Sequence, residues 1–337
     1  MIAGFDIHKQ VMQAAVLEPA SGEFCEERFS GADGLAAWVA RWGGRVEVVA
    51  IEATTGWRWV ARDLEAAGLE VRLVDAGQAR ALRGKKRKAK TDRLDARWLC
   101  LIVARGLLGE CEAWLAPIEI QRLRDQTRLR KALADDRTRW AQRLHALLVQ
   151  EGWPCPRSRL LTRTGRRWVG GLVLDPQARA QVDVLLAVIG SLEQQLDSLE
   201  TQLRRFARTD RRCRAVTQIF GVGPIIACHL VAEIGDATRF RRARQVVRLA
   251  GLDPVVEESA DTRRRGHLAK AGSPTLRWAL VQAAQHGGRQ RSPERHLYHA
   301  VTRRSGSPQA KLTVARKIAR RAYHVLQDLD RDQPQAA

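Results

Sequence analysis

The sequence lacks the features that mark secreted, membrane-spanning and zinc-binding proteins. Its six cysteines are scattered without a Cys-x-x-Cys pair, which indicates buried thiols in a reducing compartment rather than a zinc site. No run approaches the roughly 18 consecutive apolar residues of a membrane span. The opening segment has no basic stretch followed by an apolar run, so it does not resemble a signal peptide. These absences predict a cytoplasmic protein with no membrane partner.

Acidic residues are few relative to basic ones. The 337 residues include 58 Lys and Arg against 37 Asp and Glu, which gives a net charge of +21. Basic residues occur in every third of the chain, so the charge is not confined to a tail. Such an excess binds polyanions through phosphate neutralisation and counterion release. The charge therefore predicts a nucleic-acid partner, although a ribosomal or membrane-surface protein can share it.

The first part of the chain alternates between strand and helix patterns. A helix is predicted over 56–67, ending at Gly68, and Thr91 is placed to cap another helix over 92–108. This alternation predicts a mixed sheet flanked by helices. The predicted strands are 2–5, 11–17, 46–52 and 69–75.

The rest of the chain carries helical patterns. Leucines recur at helical spacing over 119–150 and 176–209, which predicts an antiparallel hairpin or a coiled coil with a partner chain. Their apolar surface predicts a homo-oligomer, a dimer or a larger assembly. No element is predicted for 151–175, and a helix is predicted over 274–284. The predicted domains are 1–115, 118–209 and a mainly α domain at 210–328.

Four carboxylates occupy positions where side chains can converge. Asp6 follows the apolar run of the first strand, and Glu52 ends a buried strand. Asp92 and Asp95 lie three residues apart in the first turn of a helix, so both can face one ion. Hard divalent cations prefer such oxygens, and two ions about 3.5–4 Å apart suit in-line attack on a phosphodiester. The helix dipole also favours Asp at such positions, so spacing alone leaves a structural role open.

Several sequence blocks, in order along the chain, resemble one known family. They are F-D-I-H-K, I-E-A-T-T-G-W, K-T-D-R-L-D-A-R, I-F-G-V-G-P-I-I-A-C-H-L-V-A-E-I-G-D, L-A-G-L-D-P and G-H-L-A-K-A-G-S-P-T-L-R. The set resembles the insertion-sequence transposases and site-specific DNA invertases that carry a DEDD tetrad. The resemblance spans nearly the whole chain. It implies a ribonuclease H-like α/β domain similar to the Holliday-junction resolvase RuvC, then a helical hairpin and a mainly α transposase domain.

The resemblance also implies a chemistry and partners. Asp6, Glu52, Asp92 and Asp95 would form the metal-binding tetrad, with Mg²⁺ or Mn²⁺ as the cofactor. The implied activity is that of a transposase, which cuts and rejoins DNA. Many members of this family act with a structured non-coding RNA from their own element, so a guide RNA is the second implied partner.

A serine nucleophile in the C-terminal domain is a further implication of the resemblance. In the family this serine joins DNA covalently and lies a few residues after the G-L-x-P block. The matching residue is Ser259, although Ala260 stands where the family usually has glycine. Ser273, in Lys-Ala-Gly-Ser-Pro, is the alternative nucleophile, or it serves only as the cap of the following helix.

Glycines and basic residues of the last third are candidates for DNA contacts. The Gly-Val-Gly turn resembles a helix–hairpin–helix turn, whose N–H groups can hold a phosphate, but a tight turn between packed helices explains it equally. Arginines beside the two serines can clamp phosphates or simply form a solvated loop. The basic loop 85–90 is predicted to contact a nucleic-acid backbone. The candidate residues are Gly221, Gly223, Arg263, Arg264, Arg265, Lys270, Ser273 and Arg277.

Three other functions are consistent with parts of the sequence. A hydrolytic, structure-specific nuclease would use the same tetrad and leave the serine idle. A sugar-kinase-like phosphotransferase also has an early Asp, but it needs a Gly/Ser/Thr-rich phosphate loop where His8-Lys-Gln-Val stands here. A non-catalytic nucleic-acid-binding protein would not need four carboxylates. The histidines form no recognised metal-ligand spacing, so no catalytic histidine is predicted.

Overall fold

The computed structural model describes residues 1–84, 91–154, 157–259 and 262–331. Within these ranges, the side chains of 157–158, 256–259 and 262–265 are not described. The basic loop predicted at 85–90 lies outside the described residues. The chain separates into two compact units, Met1–Leu115 and Ala116–Ala337. Over the described ranges, no helix combines the length and the apolar character needed to cross a membrane.

The first unit is a mixed sheet covered by helices. Its six strands lie in the order β3-β2-β1-β4-β5-β6 once numbered along the chain. β1 pairs with β2 and β2 with β3 in antiparallel fashion, β1-β4 and β4-β5 are parallel, and β5-β6 is antiparallel. The elements are β1 (Ile2–Ile7), β2 (Met12–Leu17), β3 (Phe24–Phe29), α1 (Gly31–Trp42), β4 (Val48–Glu52), α2 (Trp57–Ala66), β5 (Glu70–Val74), α3 (Ala76–Arg83), α4 (Asp92–Ala104), α5 (Leu108–Cys111) and β6 (Glu112–Ala113).

Burial on both faces of β1 determines where α4 lies. On one face, Phe5 contacts Trp38 of α1 edge to face, with the ring centroids 4.7 Å apart. On the other face, a Cβ at Gly4 would lie 2.3 Å from the carbonyl oxygen of Ala96 in α4. Only glycine permits this approach, so α4 packs directly against β1. The packing brings the N-terminal turn of α4 to the end of β1 that carries Asp6.

The predicted strands of the first unit are confirmed with shifted ends, but the helix predicted over 92–108 is wrong at its C-terminus. α4 ends at Ala104 because Gly106 adopts φ 66°, in the left-handed region. The Leu107 N–H donates to the Ile102 carbonyl at 2.9 Å, and the Gly106 N–H donates to Val103 at 3.0 Å. This pair of bonds is a Schellman motif, which satisfies the last carbonyls and stops the helix.

The second unit is mostly helical. Two of its helices, α7 and α8 below, lie in the segment 151–175 for which no element was predicted. The elements are α6 (Ile118–Gln150), α7 (Arg157–Leu160), α8 (Arg163–Gly170), α9 (Pro176–Thr209), α10 (Arg211–Val216), α11 (Pro224–Ile234), α12 (Ala243–Leu249), β7 (Pro254–Ser259), β8 (Thr262–Leu268), α13 (Pro274–Ala284), α14 (Arg295–Ser305) and α15 (Ser307–Arg331).

The two long helices α6 and α9 form an antiparallel hairpin within one chain. Arg130 pairs with Glu200, and Arg137 pairs with Glu193 at 2.9 Å, so residue numbers rise along α6 as they fall along α9. Leucines and valines such as Leu144 are buried between the helices and the segment that joins them. Of the two arrangements predicted for these helices, the structure therefore has the hairpin. The predicted oligomer stays a prediction.

The core of the second unit is built around α11. Every residue from Ala227 to Ile234 is buried, and α9, α10 and α13 pack around this helix. The two-stranded antiparallel sheet of β7 and β8 was not predicted in this part of the chain. The strand β8, Thr-Arg-Arg-Arg-Gly-His-Leu, has no alternation of apolar and polar residues, which is the pattern that identifies a half-buried strand.

Candidate functional site

A cleft of about 540 Å³ in the first unit is lined by all four predicted carboxylates. Asp6 lies near the C-terminal end of β1, and Glu52 is the last residue of the neighbouring parallel strand β4. Since parallel strands end at the same edge of a sheet, these two residues reach the cleft together. Asp92 and Asp95 enter it from the first turn of α4.

Asp6 is a buried carboxylate among other carboxylates. Its residue is only 5% exposed. Burial raises the pKa of Asp6 above its ordinary value, the His8 imidazole opposes this rise, and the charges of Asp92 and Asp95 add to it. An ionised carboxylate in such a position is costly unless a cation lies beside it. The cleft is therefore built to hold positive charge.

Among the contacts that the structure describes, the basic side chains of His8 and Arg83 touch the tetrad. The His8 Nε2 atom lies 3.3 Å from Asp6 Oδ2 and 3.2 Å from Asp92 Oδ1. Arg83, the last residue of α3, forms an ion pair with Asp95. Sequence reasoning missed both residues. The sequence does place His8 two residues after Asp6. Metal-ligand spacings that compare histidines only with other histidines do not identify this pair.

The first turn of α4 is fixed by a cap. The Thr91 Oγ1 atom accepts a hydrogen bond from the Leu94 N–H at 3.3 Å, which confirms the predicted cap. Capping holds Asp92 and Asp95 at the positive end of the helix, where negative charge is favoured. Carboxylate oxygens gathered from two strand ends and a helix start are the donor set that Mg²⁺ and Mn²⁺ prefer. The residues present fit a divalent cation.

Ser273 in the second unit is the N-cap of α13, as the alternative interpretation predicted. Its Oγ accepts from the Leu276 N–H at 3.1 Å and donates to Glu233 Oε2 at 2.9 Å. Burial raises the pKa of Glu233, but the hydrogen bonds and charge of Arg128, with the Ser273 hydroxyl, hold it below its ordinary value. Because Glu233 is paired with Arg128 and weakly basic, this carboxylate is a poor base for activating the serine.

Ser259 is the last residue of β7, and its backbone pairs with Thr262 of β8. In the same register Glu258 pairs with Arg263, Glu257 with Arg264 and Val256 with Arg265. The hairpin thus places the three predicted arginines on the strand beside the serine. The side chains of these residues lie outside the part of the chain that the structure describes.

The Gly-Val-Gly turn joins two packed elements. Gly221 has φ 88°, and a Cβ there would lie 2.4 Å from the Ala283 carbonyl oxygen. A close approach to α13 therefore requires this glycine, which favours the interpretation as a tight turn. Gly223 differs, since it is the N-cap of α11 and a Cβ there would meet nothing within 4 Å.

Two further candidates for DNA contacts lie at the loop before α13. Arg277 Nη1 donates to the carbonyl oxygens of Ala250 at 2.9 Å and Lys270 at 3.4 Å. The guanidinium therefore braces the loop. The Lys270 side chain is exposed, and its backbone has φ 53°, a left-handed conformation that few residues other than glycine adopt.

Comparison with known proteins identifies relatives across most of the chain. A family model described as "Transposase IS116/IS110/IS902 family" matches residues 213–300, and a DEDD model of the IS110 type, described as a transposase, matches residues 3–152. "Putative transposase y4rJ" of Sinorhizobium fredii is 30% identical over 300 residues, covering 80% of this chain and 75% of the relative. The transposase for insertion sequence element IS1328 of Yersinia enterocolitica is 25% identical, covering 71% and 70%. The transposase for element IS1111A of Coxiella burnetii is 23% identical, covering 84% and 77%.

Proposed function

This chain belongs to the IS116/IS110/IS902 family of transposases, and on that premise we propose that its tetrad and a serine together cut and rejoin DNA. Membership of the family implies that the protein binds DNA and carries out transposition. The observation that carries the proposal is the convergence of Asp6, Glu52, Asp92 and Asp95 on one cleft. We assign these four residues to metal binding.

We propose a ribonuclease H-like, RuvC-like fold for the first unit. Support comes from its topology, in which β1 is central, β2 and β3 extend the sheet antiparallel on one side, and β4 and β5 extend it parallel on the other. In such a fold the carboxylates at the ends of β1 and β4 and on the helix that covers β1 belong to one catalytic site. The positions of Asp6, Glu52 and α4 match that arrangement.

The tetrad would hold Mg²⁺ or Mn²⁺, which when bound polarises a phosphate oxygen and stabilises the leaving oxygen. Asp6 provides a carboxylate that burial keeps in one orientation, and Asp92 and Asp95 provide two more from a capped helix turn. Arg83 pairs with Asp95 at the wall of the same cleft. Its guanidinium is placed to bind a DNA phosphate oxygen once that carboxylate has another partner.

We propose Ser259 as the nucleophile, with Arg263, Arg264 and Arg265 as the groups that bind the phosphate. Attack of the serine oxygen forms an Oγ–P bond, while the bond between phosphorus and one deoxyribose oxygen breaks. The serine loses its proton, and the departing oxygen takes up a proton to become a hydroxyl. The phosphoserine conserves the broken linkage as a bond between phosphorus and the serine oxygen. A hydroxyl of a second DNA strand can attack this phosphorus, which rejoins the DNA and releases the serine.

Two of the remaining candidates would contact the nucleic acid rather than the reacting atoms. Gly223, at the open N-terminus of α11, and the exposed Lys270 are the ones whose surroundings leave room for a phosphate. We keep Gly221, Ser273 and Arg277 as residues that shape this region, because their described contacts are to Ala283, to Glu233 and Leu276, and to the loop before α13.

A structured RNA is the partner that we propose to direct the choice of DNA. The support is the family resemblance, and the net charge of +21 permits the binding of RNA as well as DNA. The test is to express the chain with the transcripts that flank its gene, purify it in 0.5 M salt and sequence the bound nucleic acid. We expect one flanking transcript to be strongly enriched over total RNA. Enrichment that merely follows transcript abundance would contradict RNA guidance and leave the DNA chemistry untouched.

The hairpin of α6 and α9 is the surface that we propose for self-association. Leu129 on α6 and Val184 on α9 are large apolar side chains that remain 54% and 63% exposed, and we propose that self-association covers them. Light scattering of the purified chain at micromolar concentration should report a dimer or a larger species. A monomer under these conditions, with and without nucleic acid, would contradict this assignment.

A further inference from the structure

The turn between β1 and β2 places an imidazole inside the carboxylate cleft. His8 follows β1 directly, and its backbone N–H donates to the Val11 carbonyl at 2.9 Å, which closes the turn. The backbone of this residue is therefore held by a short hairpin on a buried sheet. Its side chain is about half exposed and lines the cleft with the tetrad.

We propose that His8 is a nitrogen ligand of the divalent cation that binds beside Asp6 and Asp92. This inference rests on the proposed metal site and adds to it a fifth ligand of a different chemical class. The resulting site combines one imidazole nitrogen with carboxylate oxygens. It differs from a cage made of carboxylates alone in the metals that it prefers.

The distances carry the inference. One nitrogen of His8 and one oxygen each of Asp6 and Asp92 all lie within 4.8 Å of one another. The Nε2 atom is 3.3 Å from the Asp6 oxygen and 3.2 Å from the Asp92 oxygen. Adjacent ligands of an octahedral ion with bonds of about 2.1 Å are separated by about 3.0 Å. Both nitrogen–oxygen distances are therefore close to the spacing of neighbouring ligands in one coordination shell.

Without metal, the His8 Nε2 atom lies within hydrogen-bond distance of both carboxylates. A neutral imidazole also offers one lone pair, so in the tautomer that leaves Nε2 without hydrogen the same nitrogen can bind a cation held between the two carboxylates. Imidazole suits transition metals such as Zn²⁺ and Fe²⁺, whereas carboxylates suit Mg²⁺ and Mn²⁺. Of these last two ions, Mn²⁺ is the transition metal and accepts a nitrogen ligand more readily than Mg²⁺ does. We therefore expect the site to bind Mn²⁺ more tightly than Mg²⁺, by a margin that depends on His8.

The experiment uses Mn²⁺ alone as the probe, added to the DNA-free full-length chain. Pulsed electron paramagnetic resonance detects a ¹⁴N nucleus bound to Mn²⁺, and titration measures the dissociation constant of the ion. The test variant is His8→Ala. A second variant, Asp6→Asn, shows which part of the bound Mn²⁺ depends on the tetrad. His296→Ala is the matched control, because it removes an exposed histidine from α14 in the other unit.

We expect a ¹⁴N coupling in the wild type and in His296→Ala. In His8→Ala the coupling should disappear while Mn²⁺ still binds, about tenfold or more weakly. Mn²⁺ binding that depends on Asp6 but shows no ¹⁴N coupling in the wild type would overturn the role of His8 and leave the tetrad intact. Persistence of the coupling in His8→Ala would also overturn it. Absence of any Asp6-dependent binding would overturn the metal site itself, and His8 with it.

Discussion

Replacing Asp6 with asparagine is expected to reduce DNA cleavage by about a thousandfold or more. The substitution keeps the shape of the side chain and removes one anionic ligand from a site worth several kcal/mol of transition-state stabilisation. The rate of cleavage is measured with purified protein, Mg²⁺ and labelled DNA that carries the ends of the element. Asp95→Asn should have an effect of the same order, since both carboxylates line the cleft.

The stability of the Asp6 variant separates a catalytic role from a structural one. Because burial raises the pKa of Asp6, its charged form destabilises the metal-free folded state at pH values above that raised pKa. Asp6→Asn should therefore have an unchanged or higher melting temperature at neutral pH without metal. Asp33→Asn, an exposed residue of α1, is the matched control and should keep full activity. Full cleavage by Asp6→Asn in Mg²⁺ would contradict the assignment of the tetrad.

Replacing Ser259 with alanine is expected to abolish strand exchange while DNA binding stays within about twofold of the wild type. The reason is that alanine removes the attacking oxygen and leaves the basic strand β8 beside it unchanged. A recombination assay with two labelled duplexes measures exchange, and filter binding at fixed salt measures affinity. Exchange at the wild-type rate in Ser259→Ala would contradict its role as nucleophile.

Ser273 is the control for this experiment. Ser273→Ala removes the cap of α13 and the hydroxyl bonded to Glu233, so it should destabilise the fold by about 1–2 kcal/mol. Assayed well below its melting temperature, this variant should retain exchange. Loss of exchange in folded Ser273→Ala, with Ser259→Ala fully active, would transfer the nucleophile to Ser273.

The tetrad was predictable because each carboxylate follows a strong local signal. Asp6 lies near the end of one apolar strand, Glu52 ends another, and Thr91 marks a helix start just before Asp92. The four carboxylates meet at one cleft because β1 and β4 pair in parallel and because α4 packs closely against Gly4. The periodicity of the sequence does not predict either contact. The resemblance to a known family supplied this last step at the level of the sequence.

The remaining features depend on contacts between residues distant in sequence or on weak patterns. Arg83 reaches Asp95 only because α3 ends beside α4, and no spacing rule predicts that pair. His8 joins the site through a turn whose sequence, His-Lys-Gln, resembles any polar loop. The β7-β8 hairpin escaped prediction because three consecutive arginines in β8 hide the alternation of a strand.

The measurement that tests the proposed chemistry most directly is the detection of DNA bound covalently to the wild-type chain. Labelled DNA carrying the element's ends is incubated with protein, any bound RNA and Mg²⁺, denatured, and separated on a gel. The proposed function predicts a labelled protein band that requires Mg²⁺, with the DNA attached at Ser259 in the peptide identified by mass spectrometry. Cleaved DNA that runs entirely free of protein would contradict it and indicate a hydrolytic nuclease instead.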